Sequence, residues 1–88
     1  MYEPKAAIQI DVYSRSECHL CEDAKNALER ARQRYDFILR IIDIDGDPSL
    51  EARYGTEIPV VFINNKKAYK YRVDEVDLER KLAHLWKT

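Results

Sequence analysis

Two cysteines separated by two residues are the groups in this sequence best suited to covalent chemistry. They occur in the segment Cys18-His19-Leu20-Cys21, and the 88-residue chain contains no other cysteine. Two thiols at this spacing can form a disulfide with little backbone movement. In dithiol–disulfide exchange one thiolate, here that of Cys18, attacks a substrate disulfide, and the second thiol, here that of Cys21, resolves the mixed disulfide. The spacing therefore predicts a redox-active pair.

The segments around the cysteines predict that the pair lies at the junction of a strand and a helix. Apolar and polar residues alternate over residues 7–13, which is typical of a strand. Apolar residues then recur at steps of three and four, which predicts an inward helix face of Leu20, Ala24, Ala27, Leu28, Ala31 and Tyr35. Cys18 would then lie at the helix N-terminus, where unpaired backbone N–H groups and the nearby Arg15 can stabilise a thiolate.

The middle of the chain predicts a second strand and a short helix. Residues 36–43 are rich in β-branched side chains, which favour a strand. Asp47 can cap a short helix that has Pro48 at its first position, and Gly55 fits the end of that helix. The first strand, the first helix and the second strand would form a right-handed parallel crossover.

A hairpin and a third helix complete the expected fold. Residues 60–63 form an apolar strand after Pro59, and Asn64-Asn65 predicts a tight turn into a fourth strand over residues 67–71. Asp74 would cap a last helix whose inward side chains are Val76, Leu78, Leu82, Leu85 and Trp86. The fold class is therefore α/β, in the order β-α-β-α-β-β-α. We expect one domain over residues 1–88, with a four-stranded mixed sheet and helices on both of its faces.

Composition and charge exclude several classes of protein. The 15 Lys and Arg residues are balanced by 16 Asp and Glu residues, so the net charge of −1 does not suit a nucleic-acid-binding surface. No apolar run is long enough to span a membrane, and Met1–Ala7, which contains charges and a proline, is expected to be neither a signal peptide nor an amphipathic targeting helix. Two cysteines are too few for a secreted domain stapled by disulfides. We expect a cytoplasmic monomer with neither nucleic acid nor membrane as a partner.

Other uses of the cysteine pair compete with redox exchange. A structural disulfide across a four-residue ring would stabilise the fold by only about 2 kcal/mol, and the cytosol would keep it reduced. Zinc needs four ligands, and besides the cysteines one chain offers only His19 and the distant His84. A metal site shared between two chains and a pair of inert core thiols are the remaining alternatives. The position of the pair inside a β-α-β pattern favours redox exchange, and we expect no metal site in a single chain.

Two segments give the sequence a recognisable family likeness. Residues 13–21 read Tyr-Ser-Arg-Ser-Glu-Cys-His-Leu-Cys, and residues 57–63 read Glu-Ile-Pro-Val-Val-Phe-Ile. With these segments nearly the whole chain resembles the glutaredoxin-like branch of the thioredoxin superfamily. The resemblance implies a thioredoxin-like fold, with Cys18 as the nucleophile and Cys21 as the resolving thiol. It also implies a cis proline at Pro59, with the backbone of Ile58 facing the cleft, where a substrate strand can pair with it.

The resemblance implies further binding residues and also contains departures from the family pattern. Arg15 would contact a carboxylate of the substrate or of glutathione, and Asp74 would stand in for the family aspartate before the last helix. The chain has His19-Leu20 in place of the usual Pro-Tyr, and His19 is a candidate substrate contact. Residues 70–73 replace the usual Gly-Gly, so the glycines that let a glutathione ligand approach the backbone are missing. Asp11 is expected to point outward from the first strand rather than lie buried beneath the cysteines.

Taken together, these features predict a disulfide oxidoreductase that reduces protein or glutathione mixed disulfides. No tightly bound cofactor is expected. Glutathione is a candidate reductant, and a reductase is the other candidate electron donor. One alternative is a non-catalytic module of the same fold that binds an extended peptide or a thiol ligand. A second alternative is an iron–sulfur carrier, in which a dimer contributes Cys18 from each chain and glutathione completes the ligand set.

Overall fold

The structure, a computed structural model, describes residues 8–86. Seven elements follow one another: β1 (Gln9–Ser14), α1 (His19–Arg32), β2 (Ile38–Asp43), α2 (Pro48–Tyr54), β3 (Val60–Ile63), β4 (Lys66–Lys70) and α3 (Glu75–Trp86). This is the order expected from the sequence. Ala7, the expected first residue of the first strand, and the segment Met1–Ala7 lie outside the described residues.

The four strands form one mixed sheet in the order β2-β1-β3-β4. β1 and β2 are parallel, with Val12 opposite Ile41, whereas β3 is antiparallel to both β1 and β4. The turn between β3 and β4 uses Asn64 and Asn65 with φ values of 49° and 68°, the left-handed region that a tight hairpin turn needs. The predicted parallel pairing of the first two strands and the predicted hairpin are both confirmed.

Helices α1 and α3 cover one face of the sheet. Leu28 of α1 and Leu82 of α3 are fully buried in one apolar cluster with Ile10, Val12 and Val61 of the strands. Burying an aliphatic side chain of this size stabilises the folded state by about 1.5–3 kcal/mol. This cluster holds α1 against the sheet, and the N-terminus of α1 follows the end of the central strand β1 in the chain.

The opposite face of the sheet is covered by α2 through aromatic contacts. Tyr54 of α2 stacks on Tyr13 of β1 with 4.4 Å between the ring centroids, and Phe62 of β3 lies edge-on to both rings. Asp47 caps α2 by accepting the N–H groups of Ser49 and Leu50, as the sequence predicts. The helices therefore lie on both faces of the sheet.

Three residues expected to face the core are exposed instead. Leu20 is 36% exposed, Val76 is 64% exposed and Trp86 is 45% exposed, although all three match the apolar spacing of their helices. Leu20 and Val76 lie in the first turn of their helices and Trp86 is the last residue of α3, so each lies at a helix end. The ring of Trp86 lies edge-on to the ring of Tyr35, with 5.8 Å between the centroids. The inward interpretation of these three residues is therefore wrong.

Candidate functional site

Cys18 is the N-cap residue of α1. Its backbone is extended (φ −151°, ψ 112°), and its sulfur accepts the backbone N–H of Cys21 at 3.2 Å. Its carbonyl oxygen accepts the N–H of Glu22 at 3.1 Å. A serine or aspartate oxygen usually makes the side-chain bond of such a cap. The half-buried thiol of Cys18 is therefore held at the predicted position, where backbone amides can donate to it.

Cys21 lies one helical turn deeper and has no exposed surface. Burial raises the pKa of the Cys21 thiol to about 11, and the neighbouring Cys18 side chain adds to this rise, whereas the backbone N–H of Arg15 opposes it. Both cysteines are present as free thiols. The two thiols therefore differ in kind: one is accessible from outside, and the other is buried and protonated at neutral pH.

A shallow depression of about 280 Å³ opens over the first turn of α1. It is lined by Cys18 together with Glu17, His19 and Glu22. His19 is exposed, so its imidazole can meet an incoming molecule. This depression therefore gives an incoming molecule access to the surface beside Cys18.

The turn at Ile58-Pro59 lies at the same end of the sheet as the cysteines. Val60 pairs with Tyr13 near the end of β1, so Pro59 is adjacent in the fold to the segment that leads into α1. The Ile58–Pro59 peptide bond is cis, as the resemblance implied. Pro59 itself is buried, whereas the N–H and C=O groups of Ile58 have no hydrogen-bond partner among residues 8–86. This turn can therefore offer the backbone of Ile58 to an extended ligand.

Glu57 attaches this turn to the edge strand, a role that the sequence did not reveal. Its carboxylate lies 2.6 Å from Lys67 Nζ and 3.9 Å from Lys70 Nζ, both on β4. The hydrogen bond from Lys67, helped by the charges of both lysines, holds the pKa of Glu57 below its ordinary value. The contact depends on the register of the β3–β4 hairpin, which has a bulge, and no sequence pattern marks it.

Arg15 is engaged with the loop after β2. Its Nε lies 3.1 Å from Asp45 Oδ1 in an ion pair that lacks hydrogen-bond alignment. A Cβ atom added at Gly55 would lie 3.6 Å from an Arg15 guanidinium nitrogen and 2.6 Å from the carbonyl oxygen of Glu51. Glycine is therefore favoured at the end of α2 because a Cβ atom would clash with the Glu51 carbonyl oxygen, whereas its contact with Arg15 would be an ordinary one. A contact between Arg15 and a substrate carboxylate stays a prediction.

The loop before α3 forms a second recess beside the cysteine helix. Asp74 Oδ1 accepts the N–H of Asp77 at 3.1 Å and caps α3, as predicted. The recess has a volume of about 260 Å³ and is lined in part by Leu20 of α1 and by Tyr71 of the loop. Tyr71 is 44% exposed and has a φ of 70°, the left-handed region that favours glycine. Leu20 and Tyr71 therefore form an exposed apolar rim, and Leu20 was not expected to contribute to it.

A family model described as a glutaredoxin-like domain, DUF836, matches residues 9–83 of the chain. The chain belongs to this glutaredoxin-like family. Protein Ne2328 from Nitrosomonas europaea has a solution structure with 31% sequence identity and a TM-score of 0.76, which covers 93% of this chain and 99% of its own. The X-ray structure of protein XcR50 from X. campestris has 31% identity and a TM-score of 0.71, covering 85% of this chain and 96% of its own.

Solved thioredoxin structures with lower sequence identity show the fold alone. The thioredoxin Deadhead from Drosophila has 20% identity and a TM-score of 0.59, covering 90% of this chain and 81% of its own. Among curated relatives, the uncharacterized protein Rv0508 of Mycobacterium tuberculosis is 28% identical over 80 residues, covering 85% of this chain and 82% of its own length. The glutaredoxin-like domain therefore has the expected thioredoxin-like fold.

The expected site residues of this glutaredoxin-like domain fall into two groups. Cys18, Cys21 and His19 share the first turn of α1, and Ile58-Pro59 lies at the same end of the sheet. Arg15 and Asp74 are held by contacts of their own, with Asp45 and with the N-terminus of α3 respectively. Within residues 8–86, no three side chains of the His, Cys, Asp or Glu type come together as metal ligands do. Over the same residues, no helix has the length and apolar character needed to cross a membrane.

Proposed function

We propose that this glutaredoxin-like protein is a thiol–disulfide oxidoreductase that reduces protein or glutathione mixed disulfides. The observation that supports this most directly is the contrast between its two thiols. Cys18 is accessible at the N-cap of α1, whereas Cys21 is buried one turn away with its pKa raised to about 11. An attacking thiol must be reached by a substrate, and a resolving thiol must be kept from competing with it.

The proposed reaction has two exchange steps. The thiolate of Cys18 attacks one sulfur of the substrate disulfide, the substrate S–S bond breaks, and the departing thiolate takes up a proton. Cys21 then loses its proton and attacks the sulfur of Cys18 in the mixed disulfide. This second step forms the Cys18–Cys21 disulfide and releases the reduced substrate. Two electrons from glutathione or from a reductase return the pair to the dithiol state.

The remaining site residues are proposed to bind the substrate. The free backbone groups of Ile58 would pair with an extended segment next to the substrate disulfide. His19 would contact the substrate at the depression over Cys18, and Arg15 and Asp74 would bind polar groups at its two sides. Pro59 would shape the turn that presents Ile58. We propose that the protein works as a cytoplasmic monomer without a tightly bound cofactor.

Single cysteine variants test this proposal. Cys18→Ser should abolish reduction of insulin disulfides and of a glutathione mixed disulfide. Cys21→Ser should retain the first step and accumulate a mixed disulfide, which mass spectrometry detects as an adduct on Cys18. Ser14→Ala, which changes a residue outside the cysteine motif, is the control and should accumulate no adduct. Loss of the adduct in Cys21→Ser together with full turnover in Cys18→Ser would contradict the proposal.

A binding module without turnover is the second candidate, because the backbone of Ile58 is free to pair with a peptide. This function would leave peptide binding unchanged in a Cys18→Ser/Cys21→Ser variant, with no exchange by the original protein. Isothermal titration of both proteins with the same disulfide-containing peptide distinguishes the two functions.

A further inference from the structure

A large groove lies far from the cysteines in the fold. It has a volume of about 560 Å³ and runs between the edge strand β4 and the second half of α3. Ile63, Ala68 and Leu85 give it an apolar floor. Ile63 ends β3, whereas Pro59 precedes the start of that strand, so the groove and Cys18 lie toward opposite ends of the sheet. The proposed exchange reaction does not use this groove.

The rim of the groove is positively charged on both sides. Lys66 and Lys67 line it from β4, and Arg80 and Lys81 line it from α3, together with His84. None of the nine lining residues is acidic. The charged side chains of the rim are therefore all basic, although the net charge of the chain is −1. It attracts a ligand of the opposite charge and repels cations.

Two of these cations form no ion pair within the described part of the chain. Lys67 is paired with Glu57 at 2.6 Å and Lys81 with Asp77 at 2.7 Å, so their charges are largely compensated. Lys66 and Arg80 form no ion pair with any residue between 8 and 86, although the carboxylate of Asp77 also interacts with the charge of Arg80. The two side chains line the groove from different elements, Lys66 from β4 and Arg80 from α3.

We propose that this groove binds a small organic anion with an apolar chain, of the class of the n-alkyl carboxylates. The apolar floor would bury the chain, and each buried CH₂ group should strengthen binding by about fourfold. Lys66 and Arg80 would bind the carboxylate at the rim. The volume lies within the range of ordinary small-molecule sites, which is about 300–1,000 Å³.

The full 88-residue chain can be tested by NMR titration of its backbone amides. The probes are decanoate, octanoate and decyltrimethylammonium, each kept below its micelle concentration. Decanoate should shift amides of residues 66–68 and 80–85, and it should bind roughly fifteenfold more tightly than octanoate, which is two CH₂ groups shorter. Decyltrimethylammonium has the same chain with a positive head group, and it should bind at least about fivefold more weakly than decanoate.

Paired variants separate the charge effect from a general change in the protein. Lys66→Gln/Arg80→Gln should weaken decanoate binding at least about fivefold. Arg53→Gln/Arg72→Gln removes the same charge from two arginines that also lack an ion pair with a described residue, and it should leave binding unchanged. Equal binding of the two head groups, equal effects of the two double variants, or shifts confined to other residues would overturn the proposal. Cys18→Ser should bind decanoate normally, so this result is independent of the proposed exchange activity.

Discussion

The backbone N–H of Cys21 donates a hydrogen bond to the sulfur of Cys18 at 3.2 Å, while the Cys21 side chain is completely buried. Cys21 thus supplies both a backbone N–H donor to the accessible sulfur of Cys18 and a buried thiol one helical turn deeper. This relationship follows from the α-helical turn that begins at an N-cap, because the cap side chain reaches the N–H three residues later. A three-residue separation of the cysteines is therefore what allows both roles.

Alkylation should distinguish the two thiols in the reduced protein. At neutral pH, iodoacetamide should label Cys18 at least about tenfold faster than Cys21, because Cys21 is buried and its pKa of about 11 leaves little thiolate. Mass spectrometry of the cysteine-containing peptide from Cys18→Ser and from Cys21→Ser gives the two rates separately. In concentrated urea the rates should converge. Equal and slow labelling of both folded variants would contradict the assignment of Cys18 as the accessible thiol.

The raised pKa of Cys21 also predicts how stability changes in alkaline solution. An unfolded cysteine titrates near pH ~8.5, whereas folded Cys21 retains its proton until about pH 11. The folded state then binds more protons than the unfolded state, so the free energy of unfolding should fall as pH rises between these values. Urea unfolding of the reduced protein from about pH 8 to pH 10 measures this slope. Cys21→Ala lacks the titrating thiol and should show a shallower slope; an unchanged slope would show that other groups cause it.

Much of the fold could be predicted because local chemistry determines where its elements begin and end. The cap at Asp47, the end of α2 at Gly55 and the left-handed turn at Asn64 and Asn65 all occur where the sequence places them. These features depend on a residue and its immediate neighbours. The exposure of Leu20, Val76 and Trp86 could not be predicted in the same way, because it depends on how far the sheet extends beneath the ends of each helix.

The buried residue Leu82 and the exposed residue Val76, both on α3, should contribute differently to the free energy of unfolding. Leu82 has no exposed surface, so Leu82→Ala should lower the free energy of unfolding by about 2–5 kcal/mol through lost burial and a residual cavity. Val76 is 64% exposed, so Val76→Ala should change it by less than about 0.5 kcal/mol. Urea unfolding followed by circular dichroism measures both. A loss of more than about 2 kcal/mol in Val76→Ala would restore the inward interpretation of that residue.

Asp11 is another residue whose burial the sequence does not predict, because the expectation that it points outward is wrong. It is only 6% exposed, and its carboxylate accepts a hydrogen bond from Arg40 Nε at 2.8 Å. Alternation along β1 correctly gives Asp11 the face opposite to Ile10 and Val12. It does not reveal that the second face of β1 is also covered, although Tyr13 on that face stacks on Tyr54 of α2. Arg40 lies directly opposite Asp11 on β2, a pairing that becomes visible only with the register.

Removal of Arg40 should lower the free energy of unfolding, because the buried carboxylate of Asp11 loses its charged partner. Arg40→Ala leaves Asp11 with only the long contacts of 3.4 Å from Gln9, and it should destabilise the fold. Most of the Arg40 side chain is exposed, so water can partly replace it and limit the loss. Asp11→Asn/Arg40→Ala should be more stable than Arg40→Ala alone, because the uncompensated charge is gone. A double-mutant cycle in urea checks this prediction, and strictly additive effects would show that the two side chains do not interact.

The ion pair between Glu57 and Lys67 predicts a loss of stability in acid. The pKa of Glu57 is lowered in the folded state, so its carboxylate stabilises the fold above the unfolded value of about 4.3. That stabilisation should disappear as pH falls through the lower folded pKa, because the protonated side chain no longer binds Lys67 as an anion. Glu57→Gln should therefore show a weaker decline in the free energy of unfolding from about pH 4.5 to pH 3 than the original protein.

Glu29→Gln provides the matched control for Glu57→Gln, since it removes the same charge from an exposed pair with Arg32 inside α1. Because Glu57 connects the turn before β3 to β4, Glu57→Gln should also speed amide hydrogen exchange at Val60 and Lys70, which pair across the two strands. Glu29→Gln should leave these two amides unchanged. If Glu57→Gln kept both the acid profile and the exchange rates of the original protein, the ion pair would have no part in holding the Ile58-Pro59 turn in place.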